Sequence, residues 1–394
     1  MNPENQSRRA WLRNSAFSLG ALSLVPTGIF AREQKYVPHS FNFKWSSGSP
    51  LKEYLIDDKK DVVVSRLNAN ENPYGPSAKA LQAFQAEMKT GNRYSWRTLY
   101  DLMGMIAEKE GVTTKQIMMG PGSSDLLEKV GMLSFVHSGN IVTGDPCYMS
   151  MIHVSKAMGG EWRPVRLTAD FQHDLKAMED AIDSETKLVY ITNPNNPTGS
   201  ATDAKALYDF CDRVSQKVPV FVDEAYIELS KNGIADSMAP LVAKGRNVFV
   251  SRTFSKIHGM AGLRIGYMIG SEKSIETISE ITRGGMGITG PSIMAAIASM
   301  KDTAFLEDCK DKISKAKDYT VDYLKANGFD PIPSETNFVI FPIEMEPKKF
   351  LESMTSKGIG VRAFNYWDKD WCRVSIGTMD EMKKFTNAIT EVLL

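Results

Sequence analysis

Lys256 stands in a setting suited to covalent chemistry. It closes Thr253-Phe254-Ser255-Lys256, and Gly259, Gly262, Arg264 and Gly266 follow it. A lysine amine attacks a carbonyl carbon only when desolvation or a nearby cation lowers its pKa. Hydroxyls at Thr253 and Ser255, a guanidinium at Arg264 and the glycines around them make this stretch rich in polar donors. Further upstream lie Gly122-Ser123-Ser124, Tyr148, the run Asn193-Pro194-Asn195-Asn196-Pro197-Thr198-Gly199, and Asp223-Glu224-Ala225-Tyr226. Taken singly, each is weak. A Gly-Ser turn before a helix is usually a cap, and an acid at a strand end is usually solvated. The order and spacing of the set carry the information.

These groups need a frame. Short apolar segments precede them: Gln116–Met119, Asn140–Thr143, Lys187–Thr192, Val218–Val222 and Asn247–Val250. Helical spacing appears over Ala78–Lys89, Leu99–Lys109, Leu126–Phe135 and Asp203–Ser215. Buried strands alternating with helices predict an α/β fold with a mostly parallel sheet and helices on both faces. In such sheets ligands sit beyond the carboxyl ends of the strands, where the polar residues fall. After Pro291 the pattern turns helical, over Ser292–Met300 and Thr303–Asn327. Strands follow near Asn337–Phe341 and Cys372–Ser375, with a last helix from Asp380. The expected layout is an N-terminal arm over 32–61, a large domain over 62–288 and a smaller α+β domain over 289–394.

Bulk composition narrows the function. Apolar residues make up 42% and charged residues 24% of the 394, ordinary for a globular chain. Forty-seven basic residues balance 47 acidic ones with no basic stripe, so nucleic acid is not an expected partner. Four scattered cysteines and five histidines form no metal-ligand spacing. The chain opens MNPENQSRRAWLRNSAFSLGALSLVPTGIFA. Arg8, Arg9 and Arg13 precede a stretch over 16–25 that is too short and too polar to span a bilayer. The layout reads as a cleavable export signal over 1–31, resembling a twin-arginine signal, with a weak cut site at Ala31. It implies periplasmic export without a stable membrane anchor. That route carries folded proteins, often with a cofactor already inserted.

The set resembles the fold-type I pyridoxal-phosphate enzymes, most closely the histidinol-phosphate aminotransferase group. The pieces are NPNNPTG, DEAY, TFSKIHGMAGLRIG and WCRVSIGT, with LNANENPYGPS at 67–77 and NRYSW at 92–96. The resemblance runs from about residue 62 to the C-terminus. It implies pyridoxal 5'-phosphate as cofactor and amino acids and keto acids as substrates. Lys256 is then the lysine that bonds the cofactor and moves the α-carbon proton. Asp223 sits against the pyridinium nitrogen and keeps the ring an electron sink. Asn196 and Tyr226 donate to the ring's phenolic oxygen, and Tyr148 stacks on its face. Ser123 and Ser124, at a helix start, hold the phosphate with Thr253, Ser255 and Arg264. Tyr94 matches a tyrosine that reaches the phosphate from a second subunit, which implies a homodimer with shared sites. Arg373 matches the arginine that grips the substrate α-carboxylate, and Arg362 one that helps read the substrate side chain.

Two departures concern the substrate. The family often has an acidic residue after RYP, where this chain reads Arg93-Tyr94-Ser95-Trp96. Between Arg362 and Arg373 lie Phe364, Tyr366, Trp367 and Trp371, either an aromatic site entrance or a packed edge or subunit contact. An exported enzyme would not meet the intermediates of histidine synthesis, a cytoplasmic pathway. The expected function is amino-group transfer from an amino acid or related amine to a keto acid. The alternative is decarboxylation or elimination on the same scaffold, because cofactor-binding motifs do not choose which bond at the α carbon breaks.

Overall fold

The computed structural model describes residues 52–54, 64–282 and 284–393. The export signal over 1–31 and nearly all of the 32–61 arm lie outside the described residues. In chain order the strands are β1 (Lys52–Tyr54), β2 (Ser65–Arg66), β3 (Ile117–Gly120), β4 (Asn140–Asp145), β5 (Glu161–Arg166), β6 (Thr186–Thr192) and β7 (Val220–Asp223). They continue as β8 (Val248–Thr253), β9 (Gly266–Ile269), β10 (Phe338–Ile343), β11 (Ile359–Gly360), β12 (Arg362–Tyr366) and β13 (Lys369–Ser375).

Seven of them form one sheet in the order β3-β9-β8-β7-β6-β4-β5. The pairs among β8, β7, β6, β4 and β5 are parallel, and β9 runs antiparallel to both of its neighbours. The sheet is therefore mostly parallel, as the alternation of strands and helices predicts. Its strands are apolar on both faces because each face is covered by helices. Along β6, Leu188 and Tyr190 join one core with the helices Ser123–Ser134 and Ser150–Ala157. Val189 and Ile191 point the other way, into a core with the helices Trp96–Glu110 and Ala204–Val214. This is the period of two expected of a strand, with both phases apolar.

A second sheet, β1-β12-β13-β10, is antiparallel throughout. It packs on the helices Thr303–Ala326, Pro347–Ser356 and Met379–Leu393 through Phe338, Phe341, Phe350, Met382 and Phe385. Leu67, Tyr226, Leu229 and Ile257 belong to this same core. Both sheets lie within one compact unit, Ser47–Leu394. The helix Gly290–Met300 packs in the large-sheet core, where Ile293, Ala295 and Ala296 meet Ala80, Leu99 and Leu102. From the arm, β1 pairs with β12 and forms one edge of the second sheet.

Candidate active site

Strands β3, β4, β6, β7 and β8 run in one direction, so Gly120, Asp145, Thr192, Asp223 and Thr253 end at a common edge of the sheet. The reversed strand β9 starts there, with Gly266 paired to both Gly120 and Thr253. Every loop singled out from the sequence therefore leaves or enters the sheet at this edge.

The phosphate-side residues form a cradle. The helix Ser123–Ser134 starts from Gly122 at φ 91°, and no side chain caps its first turn. Its first N–H groups are left for an anion, where the helix dipole also favours one. A Cβ on Gly122 would stand 2.3 Å from Nη2 of Arg264, and one on Gly266 would stand 2.7 Å from the Ser123 nitrogen. Glycine at both positions thus brings the guanidinium flush against the helix start. Arg264 itself adopts a left-handed backbone (φ 51°) and donates from Nη1 to the Ala261 carbonyl at 2.9 Å. Thr253 Oγ1 donates to Ser255 Oγ at 2.9 Å and accepts from the Ser255 amide at 3.1 Å. A cationic fork, helix-start amides and clustered hydroxyls are a donor set suited to a phosphate monoester.

The other half of the site holds the titratable groups. Asp223 is buried and accepts from Ser251 Oγ at 2.8 Å. Burial pushes its carboxyl up to about 6, against the lowering effects of the Ser251 bond, the Ala225 amide and the charge of Lys256. A buried acid in this state is stabilised by a cation placed against it. Tyr148 shares a 3.2 Å hydrogen bond with Ser124, and burial raises its phenol above the usual range. Lys256 Nζ donates to the Asn70 carbonyl at 3.0 Å and lies 5.3 Å from the centre of the Tyr226 ring. Arg373 donates from Nη1 to Asn196 Oδ1 at 2.6 Å and from Nη2 to the Asn68 carbonyl at 3.2 Å. Its guanidinium lies 5.2 Å from the Phe338 ring and 5.3 Å from that of Phe364. The lysine, the buried acid and the phosphate cradle together match the reactive aldehyde, basic ring nitrogen and phosphate of pyridoxal phosphate.

Tyr94 and Arg362 stand differently. Tyr94 is 79% exposed, stacks on Trp96 at 5.7 Å, and lines an open cavity formed by residues 90–95 and 286–291. That lining includes none of the other candidate residues. Arg362 sits directly opposite Arg373 in the β12–β13 ladder. Like charges facing each other across strands repel, and an anion between them relieves this. The aromatic run after Arg362 is a packed edge: Phe364, Tyr366 and Trp371 are buried, and Tyr366 stacks on Trp371 at 4.8 Å.

Two features of the site escape a motif reading. Asn70 and Ser375 hydrogen-bond each other across 305 residues of chain. Their only signal is membership of LNANENPYGPS and WCRVSIGT, without a role attached to either. Beneath the edge, Arg252 is buried between Glu224 (Nε to Oε2, 3.0 Å) and Glu110 (Nη2 to Oε2, 3.3 Å). Tyr267 donates to Glu110 at 2.6 Å, and Ser237 and the Met238 amide both donate to Glu224 at 2.7 Å. Asp223 ends β7 and Glu224 follows it, and the two bond to different partners, Asp223 to Ser251 and Glu224 to Arg252, Ser237 and Met238. The second braces the loop end from below while the first faces the site.

The profile of the family "Aminotransferase class I and II" matches residues 62–389. A histidinol-phosphate aminotransferase of Moorella thermoacetica is 33% identical over 350 residues, covering 88% of this chain and 89% of that protein. Histidinol-phosphate aminotransferase 2 of Pseudomonas aeruginosa is 33% identical over 348 residues, covering 88% and 94%. The crystal structure of the histidinol-phosphate aminotransferase of Sinorhizobium meliloti, in complex with pyridoxal-5'-phosphate, superposes with a TM-score of 0.76 at 27% identity, covering 84% of this chain and 91% of that one. The chain belongs to the class I and II aminotransferases and is a fold-type I, pyridoxal-phosphate-dependent aminotransferase.

Proposed function

We propose that this aminotransferase moves an amino group between an amino acid, or related amine, and a keto acid at the shared strand edge. The observation that carries the reading is Asp223: a buried carboxyl pushed up to about 6, at the same sheet edge as Lys256. Such an acid calls for a cationic partner, and a protonated pyridinium nitrogen is one. When bound, pyridoxal phosphate supplies an aldehyde carbon that bonds amines and a ring that withdraws charge from the substrate α carbon. Lys256 provides the amine that holds the cofactor and then moves the proton at the α carbon. Asp223 keeps the ring nitrogen protonated, Asn196 and Tyr226 hold the phenolic oxygen, and Tyr148 covers the ring face. Ser123, Ser124, Thr253, Ser255 and Arg264 hold the phosphate. Arg373 binds the α-carboxylate through its two Nη groups, and Arg362 reads the donor's side chain from the adjacent strand.

The working unit in this proposal is a homodimer in which Tyr94 serves the partner's phosphate site. Its exposure and the open cavity beside it suit an interface. Export to the periplasm rests on Arg8-Arg9 and the segment after them. Unchanged export after replacing both arginines with lysine argues against a twin-arginine route. Among the described residues no helix is long and apolar enough to cross a membrane.

The test offers a panel of amino donors with a keto-acid acceptor, histidinol phosphate included because the relatives carry that name. The expected result is a new amino acid, lost in Lys256→Ala. Carbon dioxide without a new amino acid would overturn transamination in favour of decarboxylation.

A further inference from the structure

Asn70 is the most heavily engaged residue of the site. It is buried and holds a left-handed backbone at φ 53°, which asparagine tolerates better than most side chains. Its amide N–H donates to Ser375 Oγ at 2.7 Å, and Ser375 Oγ donates back to Asn70 Oδ1 at 2.9 Å. Its Nδ2 donates to the phenol oxygen of Tyr226 at 3.0 Å. Its carbonyl accepts from both Lys256 Nζ at 3.0 Å and Asn337 Nδ2 at 3.1 Å.

The order of donors in this chain is the one that gives each hydrogen an acceptor. A backbone N–H only donates, so Ser375 Oγ must accept from it. The single hydroxyl hydrogen of Ser375 then goes to Asn70 Oδ1, the acceptor this oxygen meets among the described residues. That choice sets which end of the Asn70 amide is oxygen and leaves Nδ2 facing Tyr226. The phenol oxygen therefore accepts from Asn70, and its own hydrogen must point to another acceptor.

We propose that Asn70, oriented by Ser375, is a positioning residue that makes Tyr226 a hydrogen-bond donor toward the bound cofactor. The proposal rests on the reading of Tyr226 as a contact of the cofactor's phenolic oxygen. Without Asn70, the phenol is free to rotate and to accept, and that oxygen loses a directed donor. Asn70 touches neither substrate nor cofactor in this role and acts through Tyr226 alone.

The test uses the full chain loaded with pyridoxal phosphate at fixed pH and reads the visible absorbance band of the bound cofactor. Tyr226→Phe gives the reference displacement of the band. Asn70→Gly keeps the left-handed backbone and removes the amide. Its band is expected to move in the same direction, at least half as far, with kcat down about tenfold, the equivalent of one lost hydrogen bond. Ser375→Ala, which leaves Asn70 in place but unoriented, is expected to move the band the same way by less. It decides the matter if Asn70→Gly fails to load cofactor. In a Tyr226→Phe background Asn70→Gly is expected to add nothing. A band unmoved in Asn70→Gly and Ser375→Ala, or an equal displacement in both backgrounds, would overturn the inference while the wild-type band still supports the enzyme reading. A wild-type protein that forms no band overturns both.

Discussion

At the scale of single residues, Asp223 is a buried acid whose ionised form the proposed contact with a pyridinium nitrogen would stabilise. Its carboxyl is raised from 3.8 to about 6 by burial, so the fold prefers the protonated form. The sign follows: its stabilising contribution is whole below pH 3.8 and is lost as pH rises through about 6. At pH 8 the cofactor-free protein carries an ionised buried carboxylate, at a cost of about 3 kcal/mol. Asp223→Asn removes that charge and leaves an oxygen to accept from Ser251. The cofactor-free variant is expected to unfold at higher denaturant than the wild type at pH 8, with the advantage gone below pH 4. In the loaded enzyme, kcat is expected to fall on the order of 10²–10⁴-fold, because the ring nitrogen loses its counter-charge. Equal denaturant midpoints at pH 8 would show that the buried charge is relieved in some other way. Functional strain of this kind, stability held below its optimum for chemistry, is common at active sites.

At the scale of elements, the phosphate cradle depends on a strand turning into a helix with no side chain in the way. Gly122 combines a φ of 91° with a Cβ position 2.3 Å from Arg264 Nη2. Gly122→Ala must move the arginine and strain the turn, at a cost of about 1–3 kcal/mol. The arginine end is flexible, so the fold survives and the cradle opens. The affinity for pyridoxal phosphate, followed by titration into cofactor-free protein, is expected to drop at least about tenfold. Unchanged affinity would remove Arg264 from the phosphate site. Beside this cradle β3 and β8 were legible, because fully buried strands are apolar runs, whereas β9, four residues starting at Gly266, was not. Nor were β5 and β12. The edge strand β5 is half exposed, carries Pro164 and lacks that run. The β12–β13 hairpin turns through Trp367 and Asp368, both at positive φ, where a turn signal of asparagine or glycine is the ordinary mark.

At the scale of the whole molecule, Tyr94 lines a cavity apart from the other candidate residues, and it is proposed to serve the site of a second copy of the chain. If the sites are shared, Lys256→Ala and Tyr94→Ala subunits complement each other. A mixed dimer then pairs the intact lysine of one chain with the intact tyrosine of the other. Equal amounts of the two variants, unfolded and refolded together, are expected to recover about a quarter of wild-type activity, since half the dimers are mixed and each holds one complete site. Recovery no greater than the sum of the separate variants would place Tyr94 outside the partner's site. Within one chain, the proposed site already draws on both parts of the fold. Arg373 comes from the small sheet and Asn196 from the end of a large-sheet strand, and they meet at 2.6 Å.

The sequence alone determined the mostly parallel sheet, the family and the set of residues gathered at the strand ends. Those properties are written locally, in apolar runs, turn residues and motif spacing. It said nothing of the bond between Asn70 and Ser375, of the opposed pair Arg362 and Arg373, or of Arg252 between two buried glutamates. Each is made by residues far apart in the chain or in neighbouring strands whose pairing depends on register. Nor could it choose between a site entrance and a packed edge for Phe364, Tyr366 and Trp371. Aromatic composition is the same in both cases, and only the burial of those rings against one another decided for the edge. Motifs record which groups are present. The direction of a hydrogen bond and the pKa of a buried acid depend on what folding brings within 3 Å, and that is a property of the tertiary structure.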